Sequence, residues 1–159
     1  MRKYGIMAAT GLFFLSLAAC KSTKTTSGKP GQLLTHMSVP RSTPTGNPVI
    51  LHFTVYNPTK SELSFCKWHT PFEGFMSTFL DIKAANGQPA DYRGAMAKRI
   101  MPPPPESYIK VPAKDSVSVD IDITRGYNLA APGLYTGTYQ GSGMSGLEKA
   151  NTITFTISK

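Results

Sequence analysis

The chain reads as an all-β protein, an antiparallel β-sandwich of about seven to nine strands. Three observations lead to that class. Short segments alternate apolar and polar residues with a period of two, as in "SVSVDIDI" at 116–123. Turn-forming residues separate these segments at short intervals. Beyond the N-terminal leader, no stretch repeats its apolar residues at the roughly 3.6-residue spacing of an amphipathic helix.

Taken in order, "PVILHFTVYN" (48–57) is rich in β-branched and aromatic residues and ends in an Asn-Pro turn. Period two puts Val49, Leu51, Phe53 and Val55 on one face and His52, Thr54 and Tyr56 on the other. "ELSFCKW" (62–68) follows across a short polar turn, the pattern of a hairpin. "TFLDIKA" (78–84) runs to Asn86-Gly87, a strong turn dipeptide. In 116–123, Val117, Val119, Ile121 and Ile123 are expected inward, with Ser118, Asp120 and Asp122 on a solvated face. "GLYTGTYQ" (133–140) and "NTITFTIS" (151–158) repeat the alternation, and Gly137, Gly141, Gly143 and Gly146 read as glycines of the hairpin joining them. "APGLYTG" sets Tyr135 after a Pro-Gly turn at a strand start. That is the tyrosine-corner arrangement of immunoglobulin-like sandwiches, and it makes the expected architecture immunoglobulin-like. Trp68, the single tryptophan, is the candidate core indole.

One stretch departs from the strand pattern. "GAMAKRIMPPPPE" begins with small and basic residues and contains four consecutive prolines, Pro102 to Pro105. Prolines offer no amide donor to a sheet and favour polyproline II. A rigid exposed loop is expected here, a common place for binding residues on a rigid sandwich.

The N-terminus gives an address. Arg2 and Lys3 precede an apolar run from Ile6 to Ala19, too short for a permanent membrane span. The run ends in "LAAC", Leu17 to Cys20, which resembles a bacterial lipobox. The expected organisation is a lipoprotein signal peptide at 1–19, a lipidated Cys20 with a flexible Lys/Ser/Thr/Gly-rich tether over 20–32, and a β-sandwich domain over 33–159. Lipid on Cys20 would hold the protein in the membrane. Lys21, rather than an aspartate, favours an outer-membrane position facing the periplasm. With Cys20 lipidated, Cys66 has no intrachain partner and is expected as a small buried hydrophobe.

Loss of Arg2 and Lys3 with the leader takes the formal charge from +8 to +6. This charge is scattered, with no basic stripe interleaved with aromatics, so nucleic acid is not an expected partner. Acidic protein surfaces or anionic headgroups suit it better. The chemistry-bearing residues are sparse. His36, His52 and His69 follow no metal-binding spacing, and Cys66 with His69 makes two ligands where a zinc site needs more. No Gly-x-Ser-x-Gly elbow or phosphate-cradling glycine loop occurs. The sequence argues for a binding protein without cofactor, metal or catalysis of its own.

"KWHTPFEG" (67–74), "DYRGAMAKR" (91–99), "ESYIKVPAKDSVSVDIDIT" (106–124) and "GYNLAAPGLYTGTY" (126–139) add a resemblance. In order and rough spacing they are similar to the N-terminal, propeptide-like β domain of deuterolysin-type aspzincins, the group that includes the peptidyl-Lys metalloendopeptidases. The similarity covers about residues 33–158. Trp68, Thr70, Pro71, Glu73, Gly74, Tyr92, Gly94, Lys98 and Arg99 carry it. The zinc-binding His-Glu-x-x-His of the protease domain does not occur in this sequence. The resemblance therefore implies a pro-domain on a lipid anchor that inhibits or chaperones a secreted aspzincin metalloprotease. The residues expected to meet that partner are Lys67, His69, Phe72, Glu73, Phe75, Lys98 and Arg99. Phe72 and Phe75 would be exposed anchors, Lys67, Lys98 and Arg99 would enter a lysine-accepting cleft, and His69 would approach the zinc. A structural or assembly lipoprotein of the envelope and a split protease subunit are the alternatives.

Overall fold

A computed structural model describes residues 32–148 and 150–159. The signal peptide, Cys20 and the tether up to residue 31 lie outside the described residues. Nine strands follow in order: β1 (Leu34–Ser38), β2 (Ser42–Pro44), β3 (Ile50–Tyr56), β4 (Leu63–Cys66), β5 (Leu80–Ala84), β6 (Tyr108–Val111), β7 (Ser116–Asp122), β8 (Gly133–Tyr139) and β9 (Ile153–Ser158).

The strands form an all-β, sandwich-like fold of mostly antiparallel sheets. One sheet has the order β1-β3-β7 and a second the order β2-β9-β8-β5, while β4 and β6 make a separate two-stranded ribbon. Among the described residues only the β2–β9 pair is parallel. The first strand is broken at residues 39–41, so β1 borders one sheet and β2 the other.

Alternation along the strands builds the core as expected. Val49, Leu51, Phe53 and Val55 are fully buried, and His52 and Tyr56 on the opposite face are exposed. The second sheet answers with Ile82, Tyr135, Tyr139, Ile153, Phe155 and Ile157. Phe53 meets Tyr139 across the sandwich at 5.4 Å between ring centroids. Val117, Val119 and Ile121 are only half-buried, because β7 is the outer strand of its sheet and lacks a neighbour to cover one flank. Asp122 is not a solvated face residue. Its Oδ1 accepts hydrogen bonds from the Val49 and Thr124 amides and caps the short 3-10 turn Ile123–Arg125.

The tyrosine corner is present: the buried Tyr135 donates its hydroxyl to the Ala131 carbonyl at 2.8 Å. Other sequence expectations are corrected. The segment 62–68 does not form a hairpin with β3. Both edges of β3 are occupied by β1 and β7, so β4 pairs β6 instead, with Leu63 opposite Val111 and Cys66 opposite Tyr108. Asn57 directs the change of course. Its side-chain amide donates to the Ser61 and Val111 carbonyls, and its oxygen accepts from Thr59. The β8–β9 connection is likewise no tight hairpin. It holds a one-turn helix, α1 (Ser142–Ser145), closed by Gly146 in the left-handed region, while Gly137 lies inside β8. Trp68 is 6% exposed but stands outside the main core cluster. Pro104 is extended at φ −69°, ψ 158°, but Pro105 already opens a 3-10 turn, Pro105–Ser107.

Candidate functional site

The corner after β4 is set by three local devices. His69 takes a left-handed φ of 57°, reversing the chain after Trp68. Thr70 caps the 3-10 turn Pro71–Glu73, its hydroxyl accepting from the Phe72 amide at 3.2 Å and donating to the Lys67 carbonyl at 2.6 Å. Pro71 supplies the φ that the first turn needs, and Gly74, at φ 71°, ends it. The corner sits hard against α1: a Cβ added to Gly141 would lie 1.9 Å from the His69 carbonyl oxygen.

This packing overturns the expected roles of several residues. Phe72 turns inward, its ring edge-on to Phe53 at 6.2 Å and to Phe65 at 5.3 Å. Phe75 stacks on Phe79 at 5.8 Å and covers Gly126. Both aromatics lean on the core because the turn at 71–74 points their side chains back between the sheets; neither is an exposed anchor. Lys67 and His69 are half-buried. Against Phe75 and Phe79, the Tyr127 hydroxyl accepts from the Phe79 and Leu80 amides at 3.2 and 2.9 Å, and burial pushes its pKa above the usual tyrosine value.

The segment from Gly94 onward is strapped to this corner. Ala95 and Ala97 donate their amides to the Phe75 and Met76 carbonyls at 2.8 and 2.9 Å. Arg99 then folds inward. Its Nη2 donates to Glu73 Oε2 at 2.5 Å and to Ser77 Oγ at 3.4 Å, and its guanidinium carbon stands 4.8 Å from the centroid of the Trp68 ring. The Arg99 and Glu73 side chains are 18% and 9% exposed. Arg99 is not available to enter a partner's cleft, which corrects the role expected of it, and Glu73 is turned to Arg99 rather than outward: each neutralises the other in a pocket that Trp68 closes.

Alternation along the strap decides what remains outside. Ala97 and Arg99 face the corner, so Met96, Lys98 and Ile100 face solvent. Met96, Ile100 and Met101 are 70, 87 and 62% exposed, and Met76 nearby is 43% exposed. Of the seven residues expected at the interface, Lys98 alone is exposed, and it stands on this ridge. The four apolar residues were missed in the sequence reading. No local pattern marks them, because their exposure follows from how the irregular segment 94–101 is held against the corner.

A second constellation occupies the outer face of the β1-β3-β7 sheet. His52 Nδ1 lies 2.6 Å from Asp120 Oδ1, and its Nε2 lies 3.1 Å from Thr54 Oγ1, which in turn lies 2.9 Å from Ser118 Oγ. Acid, imidazole and hydroxyl in a row is the ordering of a nucleophile relay. Here it stands on an exposed, paired sheet surface. The β3 amides that could hold an oxyanion are committed to the ladders with β1 and β7. Among the described residues, no group of three or more His, Cys, Asp or Glu residues could hold a metal ion, and no helix is long and apolar enough to cross a membrane. Compared with protein-family models the chain matches none, and no curated protein sequence matches it.

Proposed function

We propose that this protein is a non-catalytic, protein-binding β-sandwich, immunoglobulin-like in architecture, held at the outer membrane and facing the periplasm on a lipid carried by Cys20. The observation that carries the reading is the ridge of Met96, Ile100 and Met101, exposed at 70, 87 and 62% beside Lys98. Apolar side chains held this far into water, on a strap fixed from behind by Arg99 and Glu73, are poorly explained by folding alone. Flexible methionines around an aliphatic tip suit a contact that must adapt to a partner groove. The partner class comes from the sequence resemblance to aspzincin propeptide-like domains: a secreted aspzincin metalloprotease, inhibited or assisted in folding by this domain. Lys98 is then the basic residue placed to meet an acidic, lysine-accepting cleft.

The test follows cleavage of a lysine-containing peptide by a peptidyl-Lys aspzincin while the full chain, in detergent, is titrated in. Stoichiometric loss of activity supports the reading, and Ile100→Ser should then release the protease. Full activity together with no complex on size exclusion would refute the protease as partner, leaving an assembly role in the envelope.

A further inference from the structure

Away from the ridge, the turn between β2 and β3 faces the segment 124–130 across a cleft of about 230 Å³. Its floor is apolar, made by Tyr127, Leu129 and Ile157, and its polar wall includes Asn47, Arg93 and Asn128. The volume is below the roughly 300 Å³ at which drug-sized ligand sites begin, so it suits one amino-acid residue rather than an extended molecule.

The polar groups on this wall are uncommitted in an unusual way. Arg93 is exposed and makes no ion pair among the described residues. Asn128 Oδ1 is buried without a hydrogen-bond partner, although the Asn128 backbone N–H donates to the Asp91 carbonyl. A buried amide oxygen left without a donor is uncommon in folded proteins and calls for one. By contrast, the neighbouring hydroxyls are already donating: Thr45 to the Ser158 carbonyl and Thr124 to Asp122. The cleft therefore presents one unpaired cation, one acceptor in want of a donor, and an apolar floor.

We propose that this cleft binds an α-carboxylate with a neighbouring N–H and an apolar side chain, the chemistry shared by a free amino acid and by the last residue of a peptide. The carboxylate accepts from the Arg93 guanidinium, a charge-assisted and potentially bidentate contact. The adjacent N–H donates to Asn128 Oδ1. The side chain covers Leu129 and Ile157. The site is separate from the ridge, so it stands or falls independently of the protease reading.

The experiment is saturation-transfer NMR with isothermal titration of the full chain in detergent, using leucine, N-acetyl-leucine and N-acetyl-leucine amide as probes. Saturable binding of an acid, with the amide about tenfold weaker or more, is the expected result. Arg93→Gln should weaken the acid by about tenfold or more with an unchanged melting temperature, since Arg93 is exposed. Asn128→Leu should weaken it as well. Tighter binding of N-acetyl-leucine than of leucine would identify a peptide C-terminus as the source, and the reverse a free amino acid. Equal binding of acid and amide, full binding by Arg93→Gln, or no binding of either acid at millimolar concentration would overturn the proposal.

Discussion

The Arg99 guanidinium lies over the Trp68 ring at 4.8 Å while it donates to the Glu73 carboxylate at 2.5 Å. Two segments separated by 26 residues are thereby locked together, and the stretch that follows Arg99 is pushed outward. A cation held between an indole face and a carboxylate, largely out of water, is a stronger clamp than a surface ion pair.

Removing one partner of this pair should therefore be costly. Arg99→Ala leaves Glu73 largely buried with an uncompensated charge and is expected to destabilise the fold by about 3 kcal/mol, the low end of the range for buried pairs because some of Arg99 still meets water. The double variant Glu73→Gln/Arg99→Ala should lose less than the Glu73→Gln and Arg99→Ala losses added together. Urea unfolding of the four proteins forms the cycle, and strict additivity would show that the pair does not couple.

The ridge should behave in the opposite way. Met96→Ser, Ile100→Ser and Met101→Ser change exposed side chains and should shift stability by no more than about 0.5 kcal/mol. Partner binding, by contrast, should fall, with Ile100 the most sensitive. A pull-down beside a thermal melt separates the two effects. Phe72→Ala is a poor interface probe, since it opens a hole beside Phe53 and Phe65 and should unfold the domain at lower denaturant.

Tyr127→Phe tests a single oxygen. Its hydroxyl is the acceptor for two buried amides, those of Phe79 and Leu80, at the entry to β5. Loss of that acceptor should cost about 3 kcal/mol, more than an ordinary tyrosine hydroxyl. Hydrogen exchange at Phe79 and Leu80 should accelerate relative to β3, and unchanged protection there would count against the bond.

Alkaline pH should weaken the fold within a defined window. Burial pushes the Tyr139 hydroxyl up to about 12, with smaller opposing help from Ser145, and burial pushes Tyr92 to about 12 as well. In the unfolded chain these groups lose their protons near the ordinary tyrosine value of about 10. Stability is thus fully present below about pH 10 and declines as pH rises toward about 12. Tyr139 alone should contribute a loss of about 2–3 kcal/mol across that window. Denaturant melts from neutral pH upward check this, and Tyr139→Phe should show a shallower alkaline slope.

Much of the fold was legible in local patterns. The period-two runs in β3, β8 and β9 located the buried faces, and the position of Tyr135 after Pro-Gly located the corner hydrogen bond to Ala131. Strand partners were not legible in the same way. Pairing of β4 with β6 joins Cys66 to Tyr108, and nothing within the "ELSFCKW" segment says that β3 has both edges taken. The site residues failed for a related reason. Phe72 and Phe75 look like interface anchors beside Lys67 and Glu73, until the turn capped by Thr70 aims them inward.

By itself, the sequence determined the class of the protein: an all-β chain, apolar on alternate residues, with a proline-bounded segment unlike the rest. Those properties depend on neighbours one or two residues apart, which the backbone of a strand converts directly into faces. Only the tertiary structure decided which side chains are offered to a partner. Arg99 is consumed by Glu73 and Trp68, Ile100 is left in water, and Arg93 meets Asn128 and Asn47 around one cleft. Such outcomes depend on contacts between segments far apart in the chain, where the packing of one residue fixes the exposure of another.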